Sequence, residues 1–270
     1  MSSIKSNNQL RMRVFAGPNG SGKSTIIKSV RKYKTTSGKL DFGIYVNADD
    51  IVSHLKKKSF KFTPYQIEAT EEEFKAIALA SGLIDENFTK AYFLKSFKFS
   101  GQRLQIHNVD LSKKEGQNTT EKLGQIIADY LRKKLLSEKK KFSFETVFSH
   151  ESKIDIMKQA KEAGYKVYLY FVSTNSPEIN KERVLLRVKE GGHDVDPDKI
   201  ESRYYRSLDL LYKAAQYTYQ TYFFDNSDKT ELFGFFKVIN DKKEWKLKKG
   251  YSIENLPNWF IEYYAKKIKR

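Results

Sequence analysis

The 270-residue chain sets 50 Lys and Arg against 33 Asp and Glu, a net charge of +17, with 39% hydrophobic content and no cysteine. Disulfides and thiolate metal centres are excluded, and no apolar run approaches the roughly 18 residues of a membrane span. The opening Met1 to Gln9 stretch lacks the apolar core of a signal peptide, so a soluble cytoplasmic protein without a membrane partner is expected.

The charge is spread rather than striped. Residues 1–40 hold nine basic and no acidic residues, and the tail from Asp241 holds nine basic against four acidic. Such an excess suits a nucleic acid, an anionic small substrate or a basic solvated surface. No recognisable nucleic-acid module accompanies it, so nucleic acid is disfavoured as a partner without being excluded.

An apolar run over 12–16 reads as a buried strand and breaks into Gly17-Pro18-Asn19-Gly20-Ser21-Gly22-Lys23-Ser24-Thr25. Gly17, Gly22, Lys23 and Ser24 fill the G-x-x-x-x-G-K-[ST] pattern, in which successive backbone N–H groups curl round phosphate oxygens. The following helix, with Ile26, Ile27 and Val30 as its apolar face, adds the positive end of its dipole. Lys23 then reaches the outer phosphates of a nucleotide and the Ser24 hydroxyl is placed for Mg²⁺.

Thr35 to Lys39 reads as a turn and Phe42 to Val46 as a second strand, stopping at Asn47-Ala48-Asp49-Asp50. Ligands of open α/β sheets lie beyond the carboxyl ends of the strands, so Asp49 or Asp50 is placed to deprotonate a hydroxyl or to join the Mg²⁺ shell. The other would cap a helix starting at Ile51; Asp49 is assigned the chemistry and Asp50 the cap, with exchange left open. Thr63-Pro64 predicts a helix start with an amphipathic pattern to about Ser81, and Phe88 to Gln105 is aromatic and basic without clear form. Phe99-Ser-Gly-Gln-Arg103 faintly resembles the signature loop of transporter-type ATPases, but no apolar strand ending in Asp-Glu follows it. A long helix is expected from about Thr119 to Leu136, closed by Lys139-Lys140-Lys141.

Phe142 to Phe148 reads as a strand with Glu145 inside it, either an edge residue facing water or a carboxylate that holds substrate. Ser149 or Ser152 would cap the next helix, Gly164 would end it, and Tyr165 to Val172 is a buried strand. The β-α-β rhythm implies a mainly parallel sheet. Arg183, Arg187, Arg203 and Arg206 then lie on two basic helices either side of Gly191-Gly192-His193, which has the shape of a lid; His193 is read as ordering the turn rather than binding metal. A short strand ends at Tyr222 to Ser227, where Asn226 or backbone could hold a nucleotide base. The rest, 232–270, reads as a hairpin and a basic terminal helix.

These motifs in this order resemble the zeta-toxin-like P-loop kinases: Gly17 to Thr25, Val46 to Asp50, Phe144 to Thr146, Arg187 to Val195, Arg203 to Arg206 and Phe224 to Ser227. The resemblance implies a three-layer α/β/α P-loop fold with a mainly parallel sheet, a helical insertion over 60–118 and an arginine-bearing lid, all in one domain. It implies an ATP-dependent phosphotransferase acting on a hydroxyl of a small molecule, such as a UDP-sugar. Lys23 and Ser24 would hold ATP and Mg²⁺, Asp49 would be the base and a metal ligand, and Arg187 or Arg203 would stabilise the moving phosphoryl group. Asp50, Glu145, Thr146 and Arg206 would face the acceptor, and an antitoxin-like partner is implied. The alternative is a nucleic-acid-associated NTPase or polynucleotide kinase.

Overall fold

The computed structural model describes residues 9–35, 38–57, 59–192 and 194–268, so the expectation for His193 lies outside the described residues, as do Thr36 and Ser37 of the expected turn. In chain order the elements are β1 (Arg11–Ala16), α1 (Lys23–Lys32), β2 (Lys34–Thr35), β3 (Gly38–Lys39), β4 (Ile44–Val46), α2 (Ala48–Lys56), β5 (Ser59–Lys61), α3 (Glu71–Leu79) and α4 (Lys90–Lys95). Next come β6 (Phe97–Ser100), β7 (Arg103–Ile106), α5 (Lys114–Ser137), β8 (Phe142–Thr146), α6 (Ser152–Glu162), β9 (Lys166–Ser173), α7 (Pro177–Lys189) and α8 (Pro197–Asp209). The chain ends with α9 (Leu211–Ala215), β10 (Gln220–Asp225), β11 (Glu231–Ile239), β12 (Lys242–Leu247) and a helical segment over 258–268. The fold is mixed α/β, and the chain divides into two compact units, one made of the segments up to Gly43 and from Glu145, the other of Ile44–Phe144.

In the first unit the strand order is β12-β11-β10-β9-β1. β9 pairs in parallel with β1 and with β10, whereas β11 and β12 extend the edge as an antiparallel hairpin. Period-two alternation explains which side is sealed: Met12, Val14, Leu169, Phe171 and Phe223 are fully or almost fully buried on one face. Register aligns Ala16 with Phe171 and Phe224 with Val172, so the loops after β1, β9 and β10 leave the sheet at one end.

In the second unit β4 and β8 pair in parallel, with Ile44 opposite Phe142. The 24 residues of α5 span about 36 Å at the usual helical rise, and its buried Leu123, Ile126, Ile127 and Leu131 form the apolar stripe that Ile126, Ile127 and Leu131 announced in the sequence. The stretch 60–118 carries an antiparallel sheet ordered β5-β7-β6 as well as its helices. Phe62, Phe74 and Phe93 are wholly buried there, and Tyr130 of α5 packs edge-on against Phe62 and Phe74. β8 starts in this unit and ends, at Glu145 and Thr146, in the other.

Three local expectations are corrected. α2 begins at Ala48, not Ile51, and is capped by Asn47, whose side chain accepts from the Asp49 N–H at 2.8 Å; neither aspartate is the cap. Thr63-Pro64 starts only a short 3-10 turn, and the α-helix that follows begins after Thr70, which accepts from the Glu73 N–H at 3.2 Å. Neither Ser149 nor Ser152 caps α6: its N-cap is Glu151, and the Ser152 N–H donates to His150 Nδ1 at 3.2 Å. Among the described residues no helix is long and apolar enough to cross a membrane.

Candidate active site

The loop 17–22 lies in the first unit, between the end of β1 and the start of α1. Three of its glycines are required by geometry, Gly17 among them, with φ +148° and a β-carbon 2.1 Å from the Val172 carbonyl oxygen. Gly20 has φ +75° and a β-carbon there would come 2.5 Å from the Asn180 carbonyl oxygen; Gly22 has φ +93° and its β-carbon would come 2.2 Å from Asn226 Nδ2. Gly22 is also the N-cap of α1, so no side chain caps the helix and no acidic residue occupies its first turn. The early N–H groups and the dipole therefore form a positive concavity suited to phosphate.

Lys23 is only 8% exposed, and its ammonium donates to the carbonyls of Gly17 at 2.9 Å and Pro18 at 2.8 Å. Ser24 and Thr25, by contrast, are exposed at the first helical turn. The Ser21 hydroxyl and Asn19 Oδ1 are buried without a hydrogen-bond partner. Among the described residues no cluster of three or more His, Cys, Asp or Glu is placed to hold a metal. A hydroxyl beside bound phosphates still fits Mg²⁺, which takes one or two protein ligands and completes its shell with phosphate oxygens and water.

The loop is held from two sides. Asn180, fully buried in α7, backs Gly20 and accepts from Thr174 Oγ1 at 2.6 Å. Asn226 donates through Nδ2 to the Ser21 carbonyl at 2.9 Å and accepts from Thr230 Oγ1 at 2.6 Å. Its side chain thus braces the phosphate loop. Arg183 fixes the segment behind it, donating to the carbonyls of Asn226 at 2.6 Å and Ser227 at 3.0 Å. Asp225 completes the brace: it accepts from the Ser227 N–H at 3.1 Å, from the Ser227 hydroxyl at 3.0 Å and from the Trp259 indole N–H at 2.9 Å.

Asn180 and Trp259 were not anticipated from sequence, and Arg183 was assigned to a lid. Only the i, i+3 spacing of Asn180 and Arg183 hinted that one face of α7 serves the loop.

The remaining candidates are dispersed over both units. Arg187 is exposed near the end of α7, and the 191–192 turn closes on it, with the Gly192 N–H donating to its carbonyl at 2.9 Å. Arg203 is half-buried and Arg206 exposed on α8, the latter folded back on the Ser202 carbonyl at 3.2 Å. Val184, Val195 and Ile200 form a small core that joins the two helices, so they are one packed piece around the glycine turn. Glu145 and Thr146 are the half-buried last residues of β8. Asp49 and Asp50 are exposed in the first turn of α2, in the second unit, where the helix dipole favours carboxylates.

Comparison with known proteins gives the following. Residues 102–235 match the family described as Zeta toxin. An uncharacterized protein of Haemophilus influenzae (strain ATCC 51907 / DSM 11121 / KW20 / Rd) is 43% identical over 63 residues, 23% of this chain and 45% of that protein. The AvrRxo1-ORF1:AvrRxo1-ORF2 structure with sulphate ions is similar at 17% identity and TM-score 0.48, over 90% of this chain and 62% of that one. The same pair with ATP gives 17%, TM-score 0.46, 87% and 60%, and the PezAT chromosomal toxin-antitoxin system of Streptococcus pneumoniae gives 16%, 0.45, 85% and 74%. The chain therefore spans under half of the curated relative and under two thirds of the first of these structures.

Proposed function

We propose that this chain, whose residues 102–235 match the Zeta toxin family, is a P-loop kinase that transfers the γ-phosphate of ATP to a hydroxyl of a small acceptor, a UDP-sugar being the first to try. The observation that carries the reading is the glycine loop with a lysine ammonium at Gly17 and Pro18 ahead of an uncapped helix. Phosphoryl transfer demands little covalent chemistry of a protein, and positioning with charge stabilisation accounts for most of the rate. In the proposal, backbone N–H groups of 17–22 and Lys23 would hold the β- and γ-phosphates, and Ser24 would hold Mg²⁺. The metal supplies neutralisation of charge on the phosphate oxygens.

Asp49 is proposed to accept the acceptor's hydroxyl proton, and Arg187 or Arg203 to take up charge on the migrating group. Asp50, Glu145, Thr146 and Arg206 are proposed for the acceptor. Asn226 serves in this reading by bracing the loop rather than by holding the base. The family's description as a toxin motivates an antitoxin-like protein partner.

The test is incubation with γ-labelled ATP, sugar nucleotides and a cell extract, beside Lys23→Met. Label is expected on an acceptor with wild type only. Release of label solely as inorganic phosphate, with every acceptor supplied, overturns the kinase reading.

A further inference from the structure

A second surface in the first unit has no part in this chemistry. The five strands β12-β11-β10-β9-β1 have two unlike faces. On one, Leu169, Phe171, Thr221, Phe223 and Phe236 are wholly buried, and the C-terminal segment packs there through Trp259 on Phe171 and through Phe260 and Tyr264 on Phe223. On the other, register lines up Phe15, Tyr170, Tyr222, Phe235 and Lys246 across all five strands. Burial falls along that row, from 1% exposure at Phe15 and 4% at Tyr170 through half-buried Tyr222 and Phe235 to exposed Lys246. The rings form a continuous row, stacked with centroids 4.7 Å apart for Phe15 and Tyr170 and 4.8 Å for Tyr170 and Tyr222, and tilted at 5.6 Å for Tyr222 and Phe235.

Cations flank the stack. Lys237 pairs with Gln220 one row along, and Lys166 stands one row further at the start of β9. Both ammonium groups rest on the Tyr219 ring, at 5.6 and 4.5 Å from its centre. Among the described residues neither these two nor Lys246 is ion-paired to a carboxylate, although Glu244 lies opposite Lys237 in register. At the open end of the row the half-buried rings of Tyr222 and Phe235 are left for bases to stack on, and the lysines beside them supply charge for phosphates.

We infer that this open face of β9–β12 binds single-stranded nucleic acid. The inference is independent of the kinase reading. Duplex fits it poorly, because paired bases cannot reach the stack. Three lysines on phosphates give a salt slope of about −2 in log K against log salt, or about a 20-fold loss between about 50 and 200 mM salt.

The test is fluorescence anisotropy of labelled oligouridine, the matching duplex, and oligouridine with polyglutamate as competitor. Lys237→Gln/Lys246→Gln is expected to bring the slope below about −1 in magnitude, and Phe235→Leu, which keeps bulk but removes the ring, to weaken oligouridine about fivefold or more at unchanged slope. Both variants should keep wild-type ATP affinity and melt cooperatively within about 4 °C of wild type. Failure to bind oligouridine, equal affinity for duplex, or insensitivity to both variants overturns the inference. Displacement by polyglutamate as effective as by unlabelled oligouridine also overturns it and makes the face a site for acidic protein.

Discussion

Arg183→Met separates two roles for an arginine that sequence placed on a lid. Its guanidinium donates to the carbonyls of Asn226 at 2.6 Å and Ser227 at 3.0 Å, and Asn226 in turn holds the Ser21 carbonyl at 2.9 Å. A hydrogen bond to a charged group contributes about 1.5–3 kcal/mol when buried. Both carbonyls would regain water in the variant and the arginine is only part-buried, so about 2 kcal/mol for the pair is reasonable. If that loss falls on the state in which the phosphate loop is ordered, the ATP dissociation constant rises about 30-fold. Methionine keeps the stem and its packing, so folding should be little changed. Isothermal titration with a non-hydrolysable ATP analogue reads the affinity, and saturating kinetics read kcat. The expected result is weak binding with kcat within about threefold of wild type once ATP saturates. Wild-type ATP affinity with a collapse in kcat would refute the bracing role and return Arg183 to the transferring phosphoryl group.

Gly22→Ala forces a β-carbon to 2.2 Å from Asn226 Nδ2 at φ +93°, and the strain, about 1–3 kcal/mol, should abolish the thermal stabilisation that ATP confers; a retained ATP shift contradicts the geometry. Asp49→Asn should lower phosphoryl transfer by about 10²–10⁴-fold with ATP affinity nearly unchanged, read by single-turnover kinetics beside titration. In the second unit Lys134 bridges Glu73 at 2.8 Å and Glu138 at 3.4 Å. The bond to Glu73 raises the Lys134 pKa, whereas burial pushes Glu138 up but Lys140 and Lys134 more than offset it and hold it low. The Glu138 contribution is thus present above the unfolded carboxylate value of about 4.3 and lost as pH falls through its lowered folded value; that of Lys134 is present below about 10.4 and lost as pH rises through its raised one. Lys134→Met should flatten both limbs of a plot of melting midpoint against pH, by about 1 kcal/mol or about 2–4 °C; unchanged limbs would rule the bridge out as their source.

The parts of the fold governed by local rules were legible. The glycine, lysine and serine spacing of 17–24, the apolar stripe of α5, and the stop of α6 at Gly164 each follow from chemistry within a few residues. Errors arose where two local rules competed. The α2 start was set by the first apolar residue, Ile51, although Asn47 is a good cap whose side chain reaches the Asp49 N–H. At α3 the proline of Thr63-Pro64 outweighed Thr70 with Glu73 three residues on, the signature of a capped start that the helix in fact uses. The alternation Phe97-Lys98-Phe99-Ser100 marks β6, but four residues between polar turns carry little periodic signal. No pattern within the sequence could join Trp259 to Asp225 across 34 positions, or Arg183 to Asn226 across 43.

That long-range pair of contacts changes what the chain's end does. A hairpin and terminal helix that only packed against the sheet would matter to the nucleotide only through overall stability. Instead Phe223, the strand residue two before Asp225, is boxed by Phe233, Trp245, Phe260 and Tyr264 at centroid separations of 4.9–6.2 Å. Aromatic pairs of this kind add about 0.5–1.5 kcal/mol each beyond area burial, so β10 is anchored rigidly just where it leaves the sheet. The Trp259 indole then fixes the Asp225 carboxylate, which fixes Ser227, and Arg183 closes the segment from the α7 side. Each link is short, directional and within one unit. Loosening the terminal segment should therefore be felt first in the Asn226 amide and the carbonyl of Ser21, before β1 or α1 moves at all. A phosphate loop made of glycines has little rigidity of its own, and its order here is supplied by residues more than 150 positions away.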